Sequence, residues 1–261
     1  MAGVNDALKP VNIASGVRYT LVMENKYTPG GGIGLALAKL WGAAPEGRRG
    51  PKPKLTLQVI VDAAVSIARK KGLAAVSMAT VAEVAGCAKM ALYRHVSDRG
   101  DLLAAMVDAG LGEPPALNGN WRERFTILWE GLLSLYARDP WMLDLPADIE
   151  TLTPRNAAWI DTGLSLFESS TLPRRARLGA VLLLTENARF VARQQRSEGQ
   201  PADDLDRLLS SATALVSHER YPHLAAVAGH HQTSQPIALN PERVGEIMMR
   251  AIAVYFPSEA S

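Results

Sequence analysis

Residues 77–96 read SMATVAEVAGCAKMALYRHV, and the fold turns on how this stretch is read. Ser77 is of the N-cap type, whose hydroxyl accepts an orphan backbone N–H. Val81, Ala82 and Ala85 follow at three- and four-residue spacing, which marks one apolar helix face. Gly86 is the residue type that ends a helix in the left-handed conformation. Cys87 stands in the turn Gly86-Cys87-Ala88, where a small side chain packs. In the next segment, Lys89 to His95, Leu92 points inward, as does Val96 just beyond it. Lys89, Met90, Tyr93, Arg94 and His95 are left mostly outside, a basic and aromatic face suited to phosphates and base edges. Two short amphipathic segments about a tight turn are the sequence form of a helix-turn-helix, whose second helix fits a DNA major groove.

The flanks support that reading. Upstream, VIVDAAVSIARKKG (Val59 to Gly72) carries a buried stripe of Ile60, Ala64, Ile67 and Ala68 behind the cap Thr56. Its last turn holds Lys70 and Lys71, where positive charge favours the helix dipole. Downstream, SDRGDLL (Ser97 to Leu103) opens a longer helix, with Asp98 as cap and Asp101 as the expected capping-box partner. Leu102, Leu103, Met106 and Val107 form its apolar side. Gly110-Leu111-Gly112 before Pro114-Pro115 marks a domain boundary.

Residues 56–109 thus resemble the DNA-binding domain of TetR-type (tetracycline-repressor-like) transcriptional regulators. The resemblance rests on the first helix, the helix-turn-helix, the run LYRHV (Leu92 to Val96) and the opening SDRGDLL. It implies an all-α chain: an N-terminal three-helix helix-turn-helix domain, then a helical ligand-binding and dimerisation domain. It further implies a repressor that binds a palindromic operator as a homodimer and is released by a small-molecule effector. Carried over by position, Tyr93 and Arg99 stand where the family touches phosphates, and Ser77 and Met78 where the second helix approaches the groove. Lys89, Met90, Ala91, Arg94 and His95 match the recognition helix. Two departures shift the burden of base reading onto Lys89 and Arg94: Ala79 replaces a frequent arginine, and Ala91 a frequent serine or threonine.

Composition bounds the alternatives. With 261 residues and 48% hydrophobic content, the chain can bury a core in one or two domains. The formal net charge of +2 means that nucleic-acid binding relies on a local patch. One cysteine excludes an internal disulfide framework. No run reaches the roughly 18 apolar residues of a membrane span, and no secretory signal is evident, so a cytoplasmic protein is expected. His95, His218, His223, His230 and His231 fall into no metal-ligand spacing, and no catalytic motif appears. No metal, no cofactor and no enzymatic activity are expected.

The leader, residues 1–50, reads as an extension with one short docking helix. Its stretch TPGGGIGLALAKLW (Thr28 to Trp41) raises the question of a nucleotide-using enzyme, but neither dinucleotide nor P-loop spacing fits its glycines. Removal of residues 1–47 is expected to leave folding intact, because the segment shows little apolar periodicity. Arg48, Arg49, Lys52 and Lys54 among prolines form a basic arm able to reach DNA or simply to stay solvated.

Residues 51–111 are assigned to the DNA-binding domain and 112–261 to the helical C-terminal domain. Trp121 to Arg138, Pro154 to Ser169, Pro173 to Ser197, Ala202 to Ser217 and Pro241 to Phe256 read as helices, and Gly229 to Gln235 as a polar loop. Asp139, Thr153 and Asn240, each before a proline, read as caps. Trp129, Tyr136, Trp141, Met142, Trp159, Phe167 and Phe190 are candidate walls of an effector cavity. Asn187 puts an amide on the apolar stripe beside them and, if buried, needs a partner. For the dimer seam the broad apolar faces supply Leu178, Val181, Leu182 and Ala188, then Val244, Ile247, Met248, Ala251, Ile252 and Tyr255. The remaining rival is a DNA-binding protein without ligand control.

Overall fold

Thr56 starts the first helix of the head, its hydroxyl accepting from the Val59 N–H at 3.3 Å. That helix, α2 (Leu57–Lys71), is the second in the chain, after α1 (Leu35–Leu40). It stops at Gly72, whose φ of +80° is costly for a side-chain-bearing residue. After a 3₁₀ turn (Leu73–Ala75) come α3 (Met78–Val84), α4 (Lys89–Leu92) and α5 (Arg99–Leu111). The computed structural model describes residues 34–43, 55–146, 152–196, 211, 217, 219–231 and 241–257. Among them every regular element is helical.

The head is held by side chains withdrawn from water: Ile60, Val81, Leu92, Val96, Leu102, Leu103 and Met106 are essentially inaccessible. Each such burial is worth roughly 1.5–3 kcal/mol. α6 (Trp121–Arg138) follows, opened by an Asn120–Glu123 capping box. A 3₁₀ turn (Pro140–Asp144), α7 (Pro154–Leu166), α8 (Arg174–Arg196), α9 (Pro222–His231) and α10 (Pro241–Ala253) complete the described helices. α6, α7, α8 and α10 pack on one another around Phe125, Leu128, Trp129, Leu132 and Phe167. Trp121 closes one end by stacking on Phe256, with ring centroids 4.3 Å apart.

Two ion pairs tie the head to the helices behind it. Arg69 on α2 grips Asp139 (Nε 2.6 Å, Nη2 2.9 Å), and Arg155 at the start of α7 grips Asp108 of α5 at 3.0 Å. Both carboxylates are buried.

Four expectations change. Asp101 is not the back-reaching half of a capping box. Asp98 does cap α5, but the Asp101 carboxylate accepts instead from Ser97, Ala36 and Leu37 backbone N–H groups. Asp139 does not cap the turn that follows it, because its oxygens are taken by Arg69, Arg138 and Trp141. Residues 229–231 belong to the end of α9 rather than to a loop. Finally, α1 is more than a dispensable leader: Ala36 and Leu37 are buried, and α1 lies along α5. Removing residues 1–47 therefore strips a covered apolar surface from the head. Most of the expected helix at 202–217 lies outside the described residues.

Candidate nucleic-acid interface

The turn between α3 and α4 is built from local rules. Ser77 and Thr80 form a reciprocal capping box: the Thr80 N–H donates to Ser77 Oγ at 3.1 Å, and the Ser77 N–H to Thr80 Oγ1 at 3.0 Å. Gly86 takes φ +64°, and the Cys87 N–H reaches back to the Ala82 carbonyl at 3.0 Å, closing α3. Cys87 itself is partly buried against the core.

α4 has only four residues, so its pose depends on its anchors. Leu92 and Val96 are fully buried beneath it. On the other side Lys89, Met90, Tyr93 and Arg94 are exposed, Met90 to 75%. Cationic, aromatic and thioether groups thus stand together on a rigid base, able to donate to phosphates and to meet base edges. Ala91 is half-buried. Arg99, also exposed, starts α5 with its Nε 3.4 Å from the Val76 carbonyl.

Three of the positions carried over by resemblance sit differently. Met78 is buried, because 78, 81, 82 and 85 make one helical stripe and that stripe faces the core. Ser77 spends its side chain on the cap. His95 is half-buried, with Nδ1 3.3 Å from Lys39 Nζ. Burial, then the Lys39 and Arg94 charges, hold its pKa below the ordinary imidazole value. Burial likewise lowers Lys39, with the Asp101 charge opposing. Sequence reasoning missed Lys39 and gave Asp101 only a capping role, because their contacts appear only when residues more than 50 apart in the chain meet. The arm residues Arg48, Arg49, Lys52 and Lys54 lie outside the described residues.

Residues 60–106 match the family model for bacterial regulatory proteins of the tetR family. The likeness to the tetR family covers that segment of the chain, the reading head. A curated relative, the HTH-type transcriptional repressor DrrR1 of Streptomyces coeruleorubidus, is 33% identical over 174 residues, covering 63% of each protein. The chain therefore spans less than two thirds of that relative's length. Among solved structures, apo ActR from Streptomyces coelicolor superposes with a TM-score of 0.61 at 23% identity, over 78% of this chain and 98% of ActR. ActR in complex with actinorhodin gives the same values. At that identity the likeness is one of fold.

Behind this head the other candidate residues divide. Trp129, Tyr136, Trp141, Met142, Trp159 and Phe167 all lie in the buried core. The indole N–H groups are satisfied there, Trp129 donating to the Pro241 carbonyl at 3.2 Å, Trp141 to Asp139 at 2.8 Å and Trp159 to the Gly112 carbonyl at 3.2 Å. Asn187 and Phe190 are not with them. Phe190 is 43% exposed, and Asn187 is half-exposed, its amide donating to the Leu183 carbonyl one turn back. It is not a buried amide in want of a partner. A polar cleft of about 390 Å³ opens elsewhere, between α2, α5 and α7, lined by Asp62, Ser66, Arg69, Lys70 and Arg155 among others.

Of the dimer candidates, Val181, Ala188 and Val244 are buried within their own chain and cannot also face a second one. Leu178, Leu182, Met248 and Ile252 are half-buried, whereas Ile247, Ala251 and Tyr255 are exposed. Leu183 and Val254, exposed to 60% and 75%, join that outer face.

Proposed function

We propose that the chain is a transcriptional repressor that reads a palindromic operator as a homodimer and releases it on binding a small molecule. Residues 51–111 act as the reading domain and 112–261 as the ligand and dimer domain, in the cytoplasm. The observation that carries the reading is the exposed set Lys89, Met90, Tyr93 and Arg94 over the buried anchors Leu92 and Val96. A cation-and-aromatic face on a short, firmly seated helix has no packing role inside the chain. The small-molecule part is supported by the fold shared with ActR, which has been solved with actinorhodin. The core aromatics between α6, α7 and α8 are the apolar surface such a ligand would part, and the basic arm at 48–54 is assigned to DNA.

Fluorescence anisotropy with the duplex upstream of the chain's own gene, against an unrelated duplex, tests this. Tyr93→Phe and Arg99→Gln should weaken both, and Arg99→Gln should lower the log–log salt slope by about one contact. Lys89→Ala and Arg94→Ala should change preference between duplexes by ~1–3 kcal/mol. Binding that ignores all four substitutions would remove the assignment.

A further inference from the structure

The helix α1 lies outside residues 60–106, the segment shared with the family model, yet it is fastened at both ends to the reading head. At its start, the Leu35 N–H donates to Ser97 Oγ at 2.9 Å. The Ala36 and Leu37 N–H groups donate to the two Asp101 oxygens at 2.9 and 3.2 Å. A carboxylate on the orphan N–H groups of a helix start is a strong, charge-assisted anchor. Gly34 is what lets the chain come this close: a Cβ there would lie 2.1 Å from an Asp101 oxygen. Ala36 and Leu37 are buried in the contact.

At the other end, Lys39 Nζ donates to the Arg94 carbonyl at 3.1 Å and sits 3.3 Å from His95 Nδ1. These two residues directly follow Tyr93, the C-cap of α4. α4 is short, and its N-cap, Ala88, offers no side-chain bond. A helix of one turn is not stable by itself, so what surrounds it sets its angle. Leu92 and Val96 fix its underside, and Lys39 fixes its C-terminal end. Burial first, then the Lys39 and Arg94 charges, hold the His95 pKa below the ordinary imidazole value, which favours a neutral ring whose Nδ1 accepts from the Lys39 ammonium.

We propose that Lys39 is a positioning residue for DNA reading: from the leader helix it sets the C-terminal end of the recognition helix, so the functional head of this chain begins at Gly34. The inference rests on the DNA-binding reading above. Lys39 acts through Arg94 and His95 rather than through a phosphate. Its loss therefore tilts the reading face while leaving the bulk electrostatic attraction of the head in place.

Full-length Lys39→Met, Lys39→Arg and Gly34→Val are compared with the unaltered chain on the upstream duplex and on an unrelated duplex of equal length, across a salt series. Lys39→Met should lose about tenfold on the upstream duplex and far less on the unrelated one, with the salt slope unchanged. Lys39→Arg should recover most of the loss. Gly34→Val should repeat the loss by lifting α1 from Asp101. A ¹H NMR titration checks the contact without DNA: Lys39→Met should raise the His95 pKa. Undiminished discrimination in Lys39→Met, or a His95 titration that does not move, overturns the proposal. Equal losses on both duplexes with a slope lower by about one overturn it too, making Lys39 a phosphate contact. If the unaltered chain prefers neither duplex, the DNA-binding reading falls, and this inference falls with it.

Discussion

Asp139 is fully buried and holds four hydrogen bonds: two from Arg69, one from Arg138 Nε at 2.9 Å and one from the Trp141 indole at 2.8 Å. Burial alone would push its carboxyl pKa up, but the bonds from Arg69, Arg138 and Trp141 outweigh it and hold the pKa below the ordinary value. A depressed carboxylate pKa contributes stability that is present above the unfolded-state value and lost as pH falls through the folded-state one. Asp139→Asn should therefore destabilise the chain near neutral pH, with the gap from the unaltered protein closing in acid. Arg69 and Arg138 are half exposed and regain water when released, so the cost is about 1–3 kcal/mol rather than the full penalty of a buried ion. Urea unfolding at pH 7 and at about pH 2, below the lowered carboxyl pKa, checks both parts, and an equal gap at the two values would contradict the linkage. Single residues were unevenly legible in the sequence. Asp139 reads as a cap because it precedes a proline, and nothing local reveals Arg69, 70 positions upstream. Met78 was legible, since 78, 81, 82 and 85 form one stripe, but the resemblance pointed outward and the stripe pointed in.

Helix positions were easier, because caps and periodicity are local. α6 runs Trp121–Arg138 as its apolar spacing implies, and Thr153 caps α7, accepting from the Asn156 N–H at 3.2 Å. The six residues of α1 are too few to show a period, and its main partner, Asp101, lies more than 60 residues away. Which stripe of α8 faces its own core was equally hidden, because apolar residues cover several sides of it. Glycines record the answer. A Cβ on Gly163 of α7 would lie 2.7 Å from a Val181 methyl of α8. A Cβ on Gly245 of α10 would lie 2.8 Å from the Trp129 indole nitrogen of α6. These pairs of helices meet closely because no side chain intervenes. Gly163→Val and Gly245→Val should each cost ~1–3 kcal/mol through overpacking, visible as a lower urea midpoint with an unchanged slope. Unaltered midpoints would mean that the helices separate without cost.

At the scale of the whole molecule, the outer faces of α8 and α10 leave large apolar groups in water. Leu183 and Phe190 are exposed to 60% and 43%, and Ile247 and Val254 to 50% and 75%. Scattered apolar residues on a surface need no explanation, but these lie on, or for Val254 directly after, two helices that pack on each other. The internal core has already claimed Val181, Ala188 and Val244, so the exposed set is surplus to what the chain buries alone. A second copy supplies the same surface, and a twofold axis lets each pair of helices pack against its twin. The proposed operator reading adds a reason: one head would grip half a palindrome, and a dimer would join two half-site affinities into one. Ile247→Glu combined with Ala251→Glu places four carboxylates in such a seam, yet in a monomer both positions face water. The double variant should therefore keep its helical circular dichroism, scatter light as a monomer and bind the upstream duplex at least tenfold more weakly. Binding to an isolated half-site should hardly change. A variant that remains dimeric would move the seam away from α8 and α10. A monomer that still holds the full palindrome tightly would mean that one head suffices, and the chain would not need two copies to read its DNA.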